Sequence, residues 1–204
     1  MSNYLMVNGE KIELTLELAR KLAEDISIQQ VKLCECEVGS TVKIGKFEMV
    51  VLEQQEGKTA LILKDMYGEE TEFSKDNNCF AGSYADEKCQ AFAKELEKIV
   101  GWDGILFHTV DLTSDDGLDD YGTVERRASL LTADLYRKFV KILDTCKTDS
   151  WWWLATPHST ERHGNASWIR CVSPAGDVYY YCFNDYVRGV RPFCILKSTI
   201  FVSK

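Results

Sequence analysis

No apolar run in the sequence approaches the roughly 20 residues that a membrane-crossing helix needs, so no helical membrane span is expected. No secretory leader is expected either: the opening MSNYLMVNGEKIELT sets Asn8, Glu10 and Lys11 where a signal peptide carries its apolar stretch. The expected location is the cytoplasm, or a virion assembled there. Positive charge is in deficit. With 32 acidic against 24 basic residues and a net charge of -8, the chain is poorly suited to tracking phosphates, because affinity for nucleic acid comes largely from Lys and Arg displacing counterions. Direct nucleic-acid binding is not expected.

Motifs for metals and catalysis are equally scarce. None of the eight cysteines (Cys34, Cys36, Cys79, Cys89, Cys146, Cys171, Cys182, Cys194) stands in Cys-x-x-Cys spacing, and the tight pair Cys34 and Cys36 has no nearby His to complete four ligands. Several lie in apolar runs such as PFCIL, where a thiol packs as a small hydrophobe, so free buried thiols are expected rather than disulfides. No metal and no cofactor is expected. The sequence holds no P-loop, no Rossmann glycine fingerprint and no Gly-x-Ser-x-Gly elbow. Of its three histidines, His158 and His163 sit with Ser159, Thr160 and Glu161 in ATPHSTERHGNAS, a superficial nucleophile, base and acid. Side chains so close in one loop rarely reach triad geometry, so an enzyme is not the expectation.

What is present is enough apolar matter, 45% of 204 residues, for one sizeable core with at most a small N-terminal appendage over residues 1–35 and a main domain over 36–204. In the appendage, Tyr4, Leu5 and Val7 lead into Asn8-Gly9, and Ile12 and Leu14 resume alternation, which predicts a hairpin. Leu18, Leu22 and Ile26 then recur at helical spacing, and this segment is a candidate for self-association. From Val42 to Leu63 the pattern is β, with a hairpin connection at Gln55-Glu56-Gly57-Lys58. Ala85, Cys89, Phe92, Leu96 and Ile99 mark one amphipathic helix, and Thr132 caps a second with Leu135, Phe139, Leu143 and Cys146 on its stripe. Trp168–Val172 and Val178–Phe183 flank the turn Ser173-Pro174-Ala175-Gly176, and a last strand covers roughly Val190–Val202, with Pro192 at an edge or a strand start. The fold class is α+β: a twisted antiparallel sheet carrying two helices.

Two segments invite a site. Asp111 to Gly122 concentrates five carboxylates, but the sixth position of an EF-hand register falls on Asp116 instead of Gly, and the twelfth on Gly122 instead of Glu. A solvated acidic turn is therefore expected. The stronger signal is aromatic: Trp151-Trp152-Trp153, Trp168, Tyr179-Tyr180-Tyr181, Phe183 and Tyr186 crowd one segment. Strand alternation buries about half of such rings and turns the rest outward. Interleaved with polar side chains, these make the composition of a recognition surface, whose candidate ligand-binding residues are His158, Thr160, Arg162, Asn165, Trp168, Arg170, Tyr179, Tyr181, Asp185, Tyr186 and Arg188.

The motifs WWWLATPHST, SWIRCVSPAGDVYYY and GVRPFCILKSTIFVS, with KIGKFEMVVLEQ, DNNCF, HTVDLTSDDGLDDYG and RRASLLTADLYRKFV upstream, closely resemble an uncharacterised domain family of prophages and Gram-positive genomes over residues 38–204. That block is also similar to C-type-lectin folds, including phage receptor-binding proteins and formylglycine-generating enzymes. The resemblance implies a tryptophan strand paired centrally with the terminal strand, Trp151–Leu154 and Val190–Ile195 as scaffold, and display from Thr156 to Gly189. It departs from the pattern in lacking the Glu-Pro-Asn or Gln-Pro-Asp tripeptide of calcium-dependent sugar binding. The implied function is a prophage-encoded binding module for a protein, of host or phage, or a surface glycan. The alternatives are an intracellular inhibitor of a bacterial defence protein and a formylglycine-generating enzyme relic.

Overall fold

The computed structural model describes residues 4–7, 10–13, 15, 17 and 30–203. Near the N-terminus, β1 (Tyr4–Val7) pairs antiparallel with β2 (Glu10–Glu13), Leu5 opposite Ile12, as the hairpin pattern predicts. The helical stripe Leu18, Leu22 and Ile26 lies outside the described residues.

The main sheet is built from β3 (Gln30–Lys32), β4 (Thr41–Ile44), β5 (Phe47–Gln55) and β6 (Lys58–Leu63), joined later by β7 (Ile105–Leu106), β10 (Ala128–Ser129), β14 (Phe193–Lys197) and β15 (Phe201–Ser203). Its order is β10-β14-β6-β5-β4-β15-β3, with β7 also on β14. The predicted turn between β5 and β6 carries Gly57 at φ 71°, a left-handed conformation that glycine adopts without a Cβ clash. The predicted last strand is two strands, β14 and β15, and Pro192 precedes the first of them. Ten residues earlier in the chain than β14, β13 (Val178–Cys182) belongs elsewhere: with β11 (Trp152–Pro157) and β12 (Trp168–Val172) it forms a three-stranded antiparallel sheet in the order β11-β12-β13. A third hairpin joins β8 (His108–Asp111) to β9 (Thr123–Arg126).

Two helices cover opposite faces of the main sheet. Helix α1 (Tyr84–Val100) starts at Ser83, whose hydroxyl accepts from the Asp86 N–H, and buries Ala85, Cys89, Phe92 and Leu96 against Met49, Val51, Leu61 and Leu63. Ile99, expected on that stripe, is instead exposed at the helix end. Helix α2 (Ala133–Leu143) is capped by Thr132 and packs Tyr136, Phe139 and Leu143 on Val50, Leu52, Ala60 and Ile62. Period-two alternation along β5 thus feeds two cores, one on each face. β11 runs between them: Trp152 and Leu154 enter the α2 core, Trp153 and Ala155 the α1 core.

The WWL and GVRP segments meet, though not as the paired strands that the resemblance implies. One parallel bridge joins Trp152 to Gly189, with the Trp153 N–H donating to the Gly189 carbonyl and the Gly189 N–H to Trp151, while β11 ladders on β12 and β14 on β6. A Cβ on Gly189 would lie 2.3 Å from the Met66 sulfur, so a larger residue there would have to displace the Met66 side chain. Arg191 is 1% exposed and has no carboxylate partner among the described residues; its guanidinium donates to the Leu63 carbonyl at 2.8 Å and the Cys146 carbonyl at 3.1 Å and lies over the Trp152 ring. It ties the end of β6 to the chain leaving α2. No helix among the described residues is long and apolar enough to cross a membrane.

Candidate functional site

The predicted hairpin β12–β13 pairs Trp168 with Cys182, Arg170 with Tyr180 and Cys171 with Tyr179. Alternation splits its side chains between two faces. On the first, Ile169 and Cys171 are buried while Tyr179 and Tyr181 reach Trp151, at ring-centroid distances of 5.2 and 5.6 Å, and Tyr186 stands 5.2 Å from Tyr181. Trp151, Tyr181 and Tyr186 form a cup around Arg188, with Tyr179 beside Trp151 at its edge; the guanidinium carbon lies 4.7 Å from the centre of Tyr181, 5.0 Å from Tyr186 and 5.1 Å from Trp151. Each ring face offers the cation negative potential. Arg188 has no ion pair with a carboxylate among the described residues: one nitrogen donates to the Val187 carbonyl, and its Nε is buried without a hydrogen-bond partner.

On the second face, Tyr180 is stacked on His158 at 4.6 Å and 10°, edge-on to Trp168 at 5.5 Å, and covered by the Arg170 guanidinium at 5.2 Å. Here the cation is already neutralised, because Arg170 Nε donates to Asp115.

Asp115 belongs to the acidic segment, which is an exposed turn as expected but is also tied to the neighbouring loop. Asp116 accepts from the Ser114 and Ser159 hydroxyls at 2.5 and 2.6 Å and contacts His163 Nδ1 at 2.8 Å. Asp120 accepts from Thr160 and Arg162. Hydrogen bonds from Ser114 and Ser159, followed by His163, hold the Asp116 carboxyl well below the usual carboxylate range. The reason is complementarity: a segment with five carboxylates lies against one carrying Arg162, His163 and Arg170, and charge-assisted hydrogen bonds tie the exposed turn to it. Among the described residues no group of three or more His, Cys, Asp or Glu side chains converges as metal ligands would.

The eleven predicted residues therefore divide. Tyr179, Tyr181, Tyr186 and Arg188 come together in the cup, and Trp168, Arg170 and His158 gather around Tyr180 on the opposite face. Thr160, buried, and Arg162 are held by Asp120; Asn165 accepts from the Ser167 N–H; Asp185 is exposed beside Tyr186. Missed in the sequence were Trp151, assigned to the scaffold, Tyr180, the ring that organises the second face, and the carboxylates that restrain the loop. The matched charge of the segments 111–122 and 158–170 was the available signal. A groove of about 460 Å³ between Ile44, Ile99 and Phe201 lies apart from these rings, and a polar cleft of about 220 Å³ between Asp111, Asp134 and Arg137 adjoins the acidic segment at Asp115. Compared with family models, curated proteins and solved structures, the chain matches none.

Proposed function

We propose that this protein is a binding module that recognises another protein through the aromatic surface of β12, β13 and the segment to Arg188. The single observation that carries the reading is the cup: Trp151, Tyr181 and exposed Tyr186 surround a guanidinium that no carboxylate of the described residues neutralises, and exposed Tyr179 stands against Trp151 at its edge. Large rings bury much area with few rotors, and arginine adds planar contacts, which is why these residue types dominate measured interfaces. The meeting of the WWL and GVRP segments at Gly189, with display residues between them, supports a C-type-lectin-like reading of the mixed α+β fold. Within that reading the module belongs to a prophage and acts in the host cytoplasm or on the virion.

Affinity capture from the host, comparing the full chain with Tyr179→Ala, Tyr186→Ala and Arg188→Gln, tests the assignment. A partner that the parent chain retains should be lost from these variants and kept by Phe201→Ala, which changes a distant groove. Retention by all four would place the function on another surface, and retention of a glycan instead of a protein would replace the ligand class.

A further inference from the structure

The hydrogen-bond phase of the β12–β13 hairpin fixes which backbone groups of β13 face outward. The Phe183 N–H donates to Ser167 and the Ser173 N–H to Asp177, so 167 with 183, and 173 with 177, are hydrogen-bonded pairs. In an antiparallel ladder such pairs alternate with non-bonded ones. Residues 179 and 181 therefore spend their N–H and C=O groups on β12, and those of Val178, Tyr180 and Cys182 point away from it. The same phase on β12 is confirmed independently, since the outward Trp168 carbonyl accepts from the His158 N–H on the β11 side. β13 is the last strand of its sheet, and among the described residues no hydrogen bond reaches those outward groups.

Exposed strand edges are ordinarily guarded by Lys, Pro, a bulge or a covering loop. β13 reads VYYYC, its pairing with β12 runs without a bulge, and Tyr179 and Tyr180 are each 46% exposed. An open, uncharged edge flanked by anchoring rings is what strand addition uses: main-chain hydrogen bonds supply affinity, and alternate side chains supply specificity.

We propose that β13 is the docking edge for an extended acidic segment of a partner protein, which adds as a fourth strand and places a carboxylate on Arg188. This rests on the binding-module reading and deepens it. Residues of the added strand opposite Tyr179 and Tyr181 project to the first face, where the cup holds the unpaired cation; those between them meet Tyr180 and Trp168. Only the first face selects for charge, because Arg170 on the second already belongs to Asp115. A second copy fits less well: its own β13 carries no carboxylate, and each chain brings a net charge of -8.

Random decapeptides displayed on phage, panned on the full chain under reducing conditions, test this. Enriched peptides should carry Asp or Glu within an alternating apolar pattern. A synthetic enriched peptide should lose at least about tenfold in affinity when its acidic residue becomes the amide, when the protein carries Arg188→Gln, and when its alternate amides facing β13 are N-methylated. Tyr180→Pro removes one outward N–H and should weaken binding likewise; should that variant fold poorly, the methylated peptide on the parent chain decides. Absence of enrichment, enrichment without acidic residues, or indifference to N-methylation overturns the proposal, as does a dimer in solution that Tyr180→Pro dissolves. Peptides that ignore N-methylation yet require Tyr179 and Tyr186 overturn strand addition alone; peptides that require neither also remove the binding surface.

Discussion

Acidification should destabilise the fold through one residue, His108, before the carboxylates begin to protonate. Its ring is buried edge-on against Phe193 at 5.1 Å, its Nε2 pairs with the Ser129 hydroxyl at 2.9 Å, and its Nδ1 is buried with no partner. The imidazolium needs acceptors at both nitrogens, and Nδ1 has none. Burial lowers the pKa from 6.5 to about 4, with Glu125 opposing only in part. Because the unfolded chain takes up the proton near 6.5 and the folded one near 4, the unfolded state binds more protons in that window, so stability falls as pH falls through it. At about 1.4 kcal/mol per tenfold, the full loss is about 3 kcal/mol, most of it between pH 6.5 and 4. Urea unfolding of the parent chain and of His108→Gln at pH 7.0, 6.0, 5.0 and 4.5 isolates the effect. The variant should be the less stable at pH 7 and close the gap by pH 5. Parallel curves for the two proteins would refute the argument, since they would mean that the ring takes up its proton as readily folded as unfolded.

Trp152→Ala, which empties the α2 core beside Tyr136 and removes the ring under Arg191, should cost about 3 to 5 kcal/mol in chemical denaturation, whereas Tyr179→Ala should stay within about 0.5 kcal/mol. Asp86 accepts from Arg126 through two nitrogens, from the Gly82 N–H and from Gln90 while almost fully buried, so Arg126→Ala should destabilise by about 3 kcal/mol or more. Asp116→Asn should accelerate amide exchange across 111–122 and 158–164 at neutral pH. In the parent chain the same loosening should wait until the pH drops below the ordinary carboxylate range, because the depressed carboxyl keeps its stabilisation until the pH falls through its folded value. Alkylation of the native protein should modify Cys34 first and leave Cys89, Cys171 and Cys194 to the end, burial pushing these thiols up, that of Cys171 to about 11; all eight should react once the chain is denatured, and fewer would mean disulfides.

Local pattern was enough for the elements. The stripe Ala85, Cys89, Phe92, Leu96 and the cap at Thr132 marked both helices, and turns at Gly57 and Ser173–Gly176 marked two hairpins, because periodicity and turn chemistry act within a few residues of chain. The aromatic density between Trp151 and Tyr186 likewise marked the segment whose rings gather around Arg188 and Tyr180. Alternation alone, however, separates Tyr180 from its neighbours without saying what each will meet; His158 and Trp151, which flank β11 at its two ends, decided that. Nor could composition distinguish Arg188 from Arg191, three residues apart. Arg191 is sealed beneath Trp152 against carbonyls of Leu63 and Cys146, far off in sequence, whereas Arg188 is ringed by the nearby Tyr181 and Tyr186 and the distant Trp151, with no carboxylate of the described residues beside it. The same holds for the acidic segment, which reads as solvated in isolation and becomes a restraint only where folding sets it against Arg162, His163 and Arg170. Short-range sterics and hydrophobic period are written in sequence; which charge finds which countercharge depends on distances that only the packed chain creates.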